Sequence, residues 1–132
     1  MAAAEPFAAF DGQRYLNLET YRRDGRGVRT PLWFVAGPAA AGPVLYVYSL
    51  ANSGKAKRLR RSAEARIAPC DARGRVTGDW VPVRATTVSG ADHALGMQLL
   101  DRKYWPWKTL LNATVLLFKR RERIVIAIRP VT

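Results

Sequence analysis

The segment Ser49–Leu50–Ala51–Asn52–Ser53–Gly54–Lys55–Ala56–Lys57–Arg58 carries the residue types of an anion site. A hydroxyl residue ends an apolar run, a small-residue turn follows, and a basic stretch opens behind it. Helix N-termini present unpaired N–H groups and a partial positive charge, which suits phosphate. Cations in a helix first turn oppose the dipole. Lys55, Lys57 and Arg58 placed there cost stability unless an anion neutralises them, and a local rule broken in this way points to function. A basic helix face turned to water is the competing reading. The likeness to a P-loop is superficial, because the first Gly of that motif is missing.

A second stretch is Arg29–Thr30–Pro31–Leu32–Trp33–Phe34. A Pro inside a strand removes a donor and flattens the chain locally. A hydroxyl and a large aromatic flank it, a surface that can meet a planar heterocycle edge-on. A core strand with a Pro bulge explains the residues equally well.

No nucleophile–base constellation accompanies these stretches. His93 is the single His and follows Asp92 at an expected helix start, which reads as an exposed helix-terminal residue. Cys70 follows Pro69 and reads as a small buried filler rather than a reactive thiol. Turn chemistry accounts for Asp71, and Asp79 has no evident partner for acid–base work. If the chain is an enzyme, an organic cofactor supplies the reactivity.

The 132 residues fit one domain. Hydrophobic residues make up 48% and charged residues 24%, a globular rather than disordered composition. Lys and Arg number 22 against 10 Asp and Glu, a net +12 that draws in polyanions: nucleic acid, anionic lipid, or a phosphorylated or carboxylate-rich small molecule. One Cys excludes an intramolecular disulfide, and one Cys with one His excludes the usual zinc sites. The start, MAAAEPFAAF, lacks a basic n-region and makes a poor signal peptide. No apolar run approaches the ~18 residues of a membrane span. A soluble, cytoplasmic protein is expected.

The elements that must position these residues follow from patterning. Residues 1–14 form an N-terminal arm or short helix, and 15–132 a single domain. Tyr15–Thr20 alternates as a strand, and Asp24–Gly25 turns it into a second strand over Val28–Val35. Pro31 places that strand at an edge, at a bulge, or against a ligand. Val44–Ser49 reads as a buried strand, and Lys55–Ser62 as a short basic helix with Leu59 inward. Ala65–Cys70 is a further strand. After the turn Asp71–Gly74, a long alternating strand is expected over Arg75–Val88, with Gly78 marking a bulge or a close approach. Apolar residues at 91, 94, 95, 99 and 100 predict a helix over Ala91–Lys103, weakened by Gly96. A second helix is expected from Trp107 to about Leu117, and a last strand over Ile124–Ile128. Few helices separate the early strands, so an antiparallel barrel is favoured over a parallel sheet.

These stretches, in this order, resemble the pyridoxamine 5′-phosphate oxidase-like split β-barrel proteins, and within them the flavin/deazaflavin oxidoreductases that use coenzyme F420, common in actinobacteria. The likeness runs through Tyr15–Gly25, Val28–Phe34, Ser53–Arg60, Arg66–Gly78 and Arg102–Tyr104, roughly residues 15–129. The Arg- and Ala-rich composition suits a GC-rich genome. The resemblance implies a mainly β, split-barrel fold, FMN-binding-like, and a homodimer with cofactor sites at its interface. It implies phosphate binding by Ser49, Ser53 and Lys55, assisted by Lys57 and Arg58, and a ring system lined by Thr30, Pro31 and Trp33. The activity implied is hydride transfer between reduced F420 and a small unsaturated or electrophilic substrate, with FMN the alternative cofactor and no catalytic side chain assigned. The chain departs from the family at Ser62–Ala63, where Asn-Pro is usual after the basic helix, and from the oxidase itself at Gly78, near where that enzyme has a ring-contacting Gln. The oxidase's C-terminal substrate pattern is absent too, so pyridoxamine phosphate oxidation is not implied.

Two other classes compete. A basic nucleic-acid-binding module would use Lys55–Arg61 and Lys119–Arg123 on phosphates, with aromatics stacked on bases. The aromatics do not interleave with those runs, so no nucleic-acid partner is expected. A non-enzymatic cofactor carrier would look the same in sequence as the enzyme.

Overall fold

The computed structural model describes residues 6–104 and 123–131. Among these residues seven strands and two α-helices are formed: β1 (Tyr15–Tyr21), β2 (Gly27–Trp33), β3 (Val35–Ala36), β4 (Leu45–Leu50), α1 (Gly54–Arg61), β5 (Glu64–Cys70), β6 (Val81–Val88), α2 (Gly90–Lys103) and β7 (Arg123–Pro130). The strands form one sheet in the order β2-β1-β5-β6-β7-β4-β3, antiparallel throughout. The sheet curls into a half-barrel, so the expected mainly β split barrel is what the chain adopts. β2 and β4 face one another across the seam without pairing.

Alternation along the strands decides the two faces. Leu16, Leu18, Leu45, Val47, Ile67, Val83, Ala85, Ile126 and Ile128 point inward and form the main core with Phe10, Phe34 and Leu59. Leu59 is the inward residue of α1, as its spacing predicts, and burying it contributes about 1.5–3 kcal/mol. On the outer face α2 packs Leu100 and the Tyr104 ring against Tyr46, Val125 and Ala127. Gly25 takes φ +88° and turns β1 into β2, as Asp-Gly predicts. Pro31 is accounted for by position, because β2 is an edge strand whose outer side has no ladder to supply.

The long strand expected over Arg75–Val88 is not formed. β6 begins at Val81, and Val76 makes only an isolated bridge to Cys70. The backbone before it is committed elsewhere. The Asp71 carboxylate accepts from the Arg73 and Arg75 N–H groups, both at 2.9 Å. Thr77 N–H donates to the Pro69 carbonyl at 2.8 Å. Gly78 then lies so close to the Pro69 ring that a Cβ would stand 2.6 Å from its Cγ. This loop folds over the outer face of β1 and β5, where Trp80 lies beneath Arg29 and Arg66, each guanidinium 4.7 Å from its ring centre. The predicted strand over Val28–Val35 is likewise split at Phe34, because the Phe34 N–H donates to the Tyr104 hydroxyl instead of to a neighbouring strand.

Gly96, a weak point in the helical pattern, lies in α2 and is buried against Val125, where a Cβ would meet Cγ1 at 2.6 Å. Phe7 and Phe10 of the N-terminal stretch enter the main core, around a 3-10 turn at Ala8–Phe10. The helix expected from Trp107 and the basic residues 119–122 lie outside the described residues. No helix among the described residues is long and apolar enough to cross a membrane.

Candidate functional site

One end of the barrel is closed by α1. Ser53 caps it, its Oγ accepting from the Ala56 N–H at 3.2 Å. The same Oγ lies 3.1 Å from Ser49 Oγ, at the end of β4, and Lys55 Nζ donates to Ser49 Oγ at 3.1 Å. Arg58 Nε donates at 2.7 Å to Thr20 Oγ1, on the inward face at the end of β1. The Arg58 guanidinium folds back over the start of the helix, where a Cβ on Gly54 would stand 2.8 Å from Nη1. Ser49, Ser53, Lys55, Arg58 and Thr20 thus form one polar cluster.

Its electrostatics are unbalanced. No carboxylate lies within 4 Å of Lys55 or Arg58 among the described residues, since the ion pairs there belong to Arg26, Arg29, Arg66 and Arg75. Burial lowers the Lys55 pKa, and the neighbouring Arg58 lowers it further. Burial also lowers that of Arg58, together with Arg22 and Arg61. An ammonium carries three donors and a guanidinium five. Only one on each is used within the cluster, so both retain donors for an anion.

Two sequence expectations change in detail. Arg58 does not lie in the first turn, because α1 has eight residues and Arg58 belongs to its last turn, where a cation suits the dipole. It serves the cluster by folding back, not by position along the helix. Lys57 is exposed, and only its backbone N–H, which donates to the Ser53 carbonyl at 3.1 Å, touches the cluster; its side chain makes no hydrogen bond there among the described residues.

The second stretch lies at the seam. Pro31, Leu32 and Trp33 of β2, with Tyr15 of β1 and Tyr48 of β4, line a recess of about 230 Å³. Trp33 stacks on Tyr104, centroids 4.5 Å apart and planes within 7°. The Tyr104 hydroxyl, 2.6 Å from the Arg14 carbonyl and 2.7 Å from that of Phe34, fixes the stack. Arg123 lies over Tyr48, 5.4 Å from its ring centre. Thr30 lies opposite Leu18 and points to the face away from Pro31 and Trp33, outside the recess. Tyr48 and Ser49 are consecutive on β4, so recess and cluster share that strand and lie on its two faces.

Thr20, Tyr15, Tyr48 and Tyr104 were not among the residues singled out from sequence. Thr20 had a signal: it continues the inward positions of Leu16 and Leu18, and a hydroxyl at an apolar position asks for a partner. His93 is half-buried in the first turn of α2 rather than exposed. Cys70 is buried and its thiol is pushed up to about 11 by burial and by Asp71, in keeping with a filler. The described residues contain no metal-binding group of His, Cys, Asp and Glu.

No family model matches the chain, and no curated protein matches it in sequence. Solved structures match through the fold. A candidate pyridoxamine 5′-phosphate oxidase from Listeria innocua superposes with a TM-score of 0.65 at 14% identity, covering 96% of this chain and 90% of that one. An F420 reductase gives 0.57 at 16%, covering 96% and 93%. A pyridoxamine 5′-phosphate oxidase-related, FMN binding protein from Nostoc punctiforme gives 0.57 at 19%, covering 89% and 71%. Near-complete overlap at such identities is a statement about architecture. The curled antiparallel sheet, the unpaired seam and these superpositions together show that the chain has the split β-barrel fold of the pyridoxamine 5′-phosphate oxidase-like proteins.

Proposed function

We propose that the protein is an F420-dependent oxidoreductase acting as a homodimer. The observation that carries this reading is the cation cluster at α1: two partly buried cations, Lys55 and Arg58, with donors to spare and no carboxylate beside them. Such a cluster gains most from a bound phosphate, since charge-assisted bonds in a desolvated setting are the strong ones. Ser49 and Ser53 add hydroxyls, and Thr20 holds the guanidinium. Lys57, exposed beside them, contributes long-range attraction.

The recess of Tyr15, Pro31, Trp33 and Tyr48 supports ring binding. At about 230 Å³ it falls below the ~300–1,000 Å³ of ordinary ligand pockets, so one protomer supplies an edge of a ring site and a second completes it. Bound reduced deazaflavin would supply a hydride for a small unsaturated or electrophilic substrate. The chain's own residues bind the phosphate, hold the ring against Trp33 and exclude water.

The preference for F420 over FMN rests on charge. The formal +12 of the chain matches a cofactor with a carboxylate-rich tail better than one ending at its phosphate. The test is a titration of purified protein with both compounds at several salt concentrations. F420 is expected to bind more tightly, with an affinity that falls as salt rises because the tail contacts are screened. Equal or tighter FMN binding, with no effect of tail length, assigns FMN instead.

A further inference from the structure

The other mouth of the barrel holds a second, larger hollow. Its volume is about 720 Å³, within the range of small-molecule sites, which barrel mouths commonly provide. Leu45 lines it at the start of β4, four residues from Ser49, so about 13 Å of strand separates it from the cation cluster. Phe7, Phe10, Phe34 and Leu45 make its wall apolar, and among the described residues Asp11 and Lys103 are its charged ones.

Lys103 is the informative one. It ends α2, and its ammonium turns in over the Phe34 ring, 4.0 Å from the centre. Two of its three donors reach the carbonyls of Gln13 and Phe34, both at 2.8 Å. No carboxylate pairs with it among the described residues. Asp11 lines the same hollow but is exposed, so water screens its charge. Burial brings the lysine down to about 8, as befits an ammonium that has lost water and meets no anion among the described residues.

We propose that this hollow binds an apolar monocarboxylate, its chain against Phe7, Phe10, Phe34 and Leu45 and its carboxylate on Lys103. The apolar wall provides affinity without direction, and the ammonium selects the head group. This site is independent of the cation cluster at α1.

Calorimetric titration of the full chain with decanoate and with decanol, of equal chain length, tests it. Decanoate is expected to bind at least tenfold more tightly. Lys103→Met should remove that preference and leave decanol binding in place, which also shows that the variant is folded. Ala39→Trp narrows the hollow from an exposed position on its wall and should weaken both compounds at least fivefold. Lys55→Ala should leave decanoate binding unchanged. The proposal is overturned if neither compound binds or the native protein does not discriminate between them. Discrimination that survives Lys103→Met, binding indifferent to Ala39→Trp, or decanoate binding lost in Lys55→Ala would overturn it equally.

Discussion

Lys55 is where the anion reading is most exposed to test. Its ammonium is half-buried, bonded to Ser49 and repelled by Arg58. Lys55→Ala should weaken cofactor binding by about 1.5–3 kcal/mol, the range for a hydrogen bond to a charged group. Denaturant unfolding of the free protein should show stability unchanged or slightly raised, since the change relieves a cation in the first turn. Arg60, which donates to the Ala51 carbonyl, should matter less to binding when replaced by Ala. Loss of stability with intact cofactor affinity would make the basic helix structural. Glu19 is the opposite kind of residue, buried and fully paired, with Arg66 at 2.6 Å and Arg29 at 2.7 Å. Burial alone would raise its pKa, but the hydrogen bonds from Arg66 and Arg29 win and hold it at about 2. A carboxylate lowered in the folded state stabilises fully above its unfolded value and loses that contribution as pH falls through its folded one. Stability should therefore decline between about pH 5 and 2, by about 2 kcal/mol after discounting for the half-exposed arginines. Urea unfolding across that range should show the decline in the native protein and a shallower one in Glu19→Gln.

At the scale of elements, α2 depends on a residue that a helix alone would reject. Gly in a helix interior costs about 1 kcal/mol relative to Ala, so exposed geometry would favour Gly96→Ala. Here the added methyl meets Val125 Cγ1, and overpacking of this kind costs about 1–3 kcal/mol. The net expectation is destabilisation, with α2 displaced from β7. Val125→Ala opens space at the same contact, so the double variant should lose less than the two single losses added. Thermal unfolding of the four proteins measures that coupling; simple additivity would mean that α2 does not rest on Val125. The same displacement would disturb Tyr104, on which Trp33 stacks, and so connect the packing of α2 to the shape of the seam.

For the molecule as a whole, the expected assembly is a C2 homodimer. Trp33, Tyr15 and Tyr48 are only partly covered by the protomer's own residues and surround a recess too small for a whole ring system. Sedimentation at micromolar concentration should give twice the protomer mass. A species of protomer mass alone would remove the shared-site model, leaving the cation cluster as a phosphate site within one chain.

The sequence by itself determined the class of fold and the chemistry on offer. Alternation in Tyr15–Thr20, the β-branched and aromatic content of Val44–Ser49 and the Asp24–Gly25 turn are local signals, and the structure forms these elements, with Ala65–Cys70, within a residue or two of the expected bounds. The cations of α1 were equally visible, because charge and spacing need no third dimension to be read. Tertiary structure decided what those residues meet. Residues 75–80 alternate like a strand, yet Asp71, Pro69 and Trp80 claim their backbone and surroundings, and no local pattern encodes contacts with β1 and β5. Arg58 reaches Thr20 across 38 positions of chain, and Lys103 reaches Gln13 across 90. Such pairings exist only because the curled sheet brings the end of β1 to α1 at one mouth and the end of α2 to the chain before β1 at the other. Period-two alternation also placed Tyr48 and Ser49 on opposite faces of β4, but only closure of the seam gave Tyr48 the partners Trp33 and Pro31.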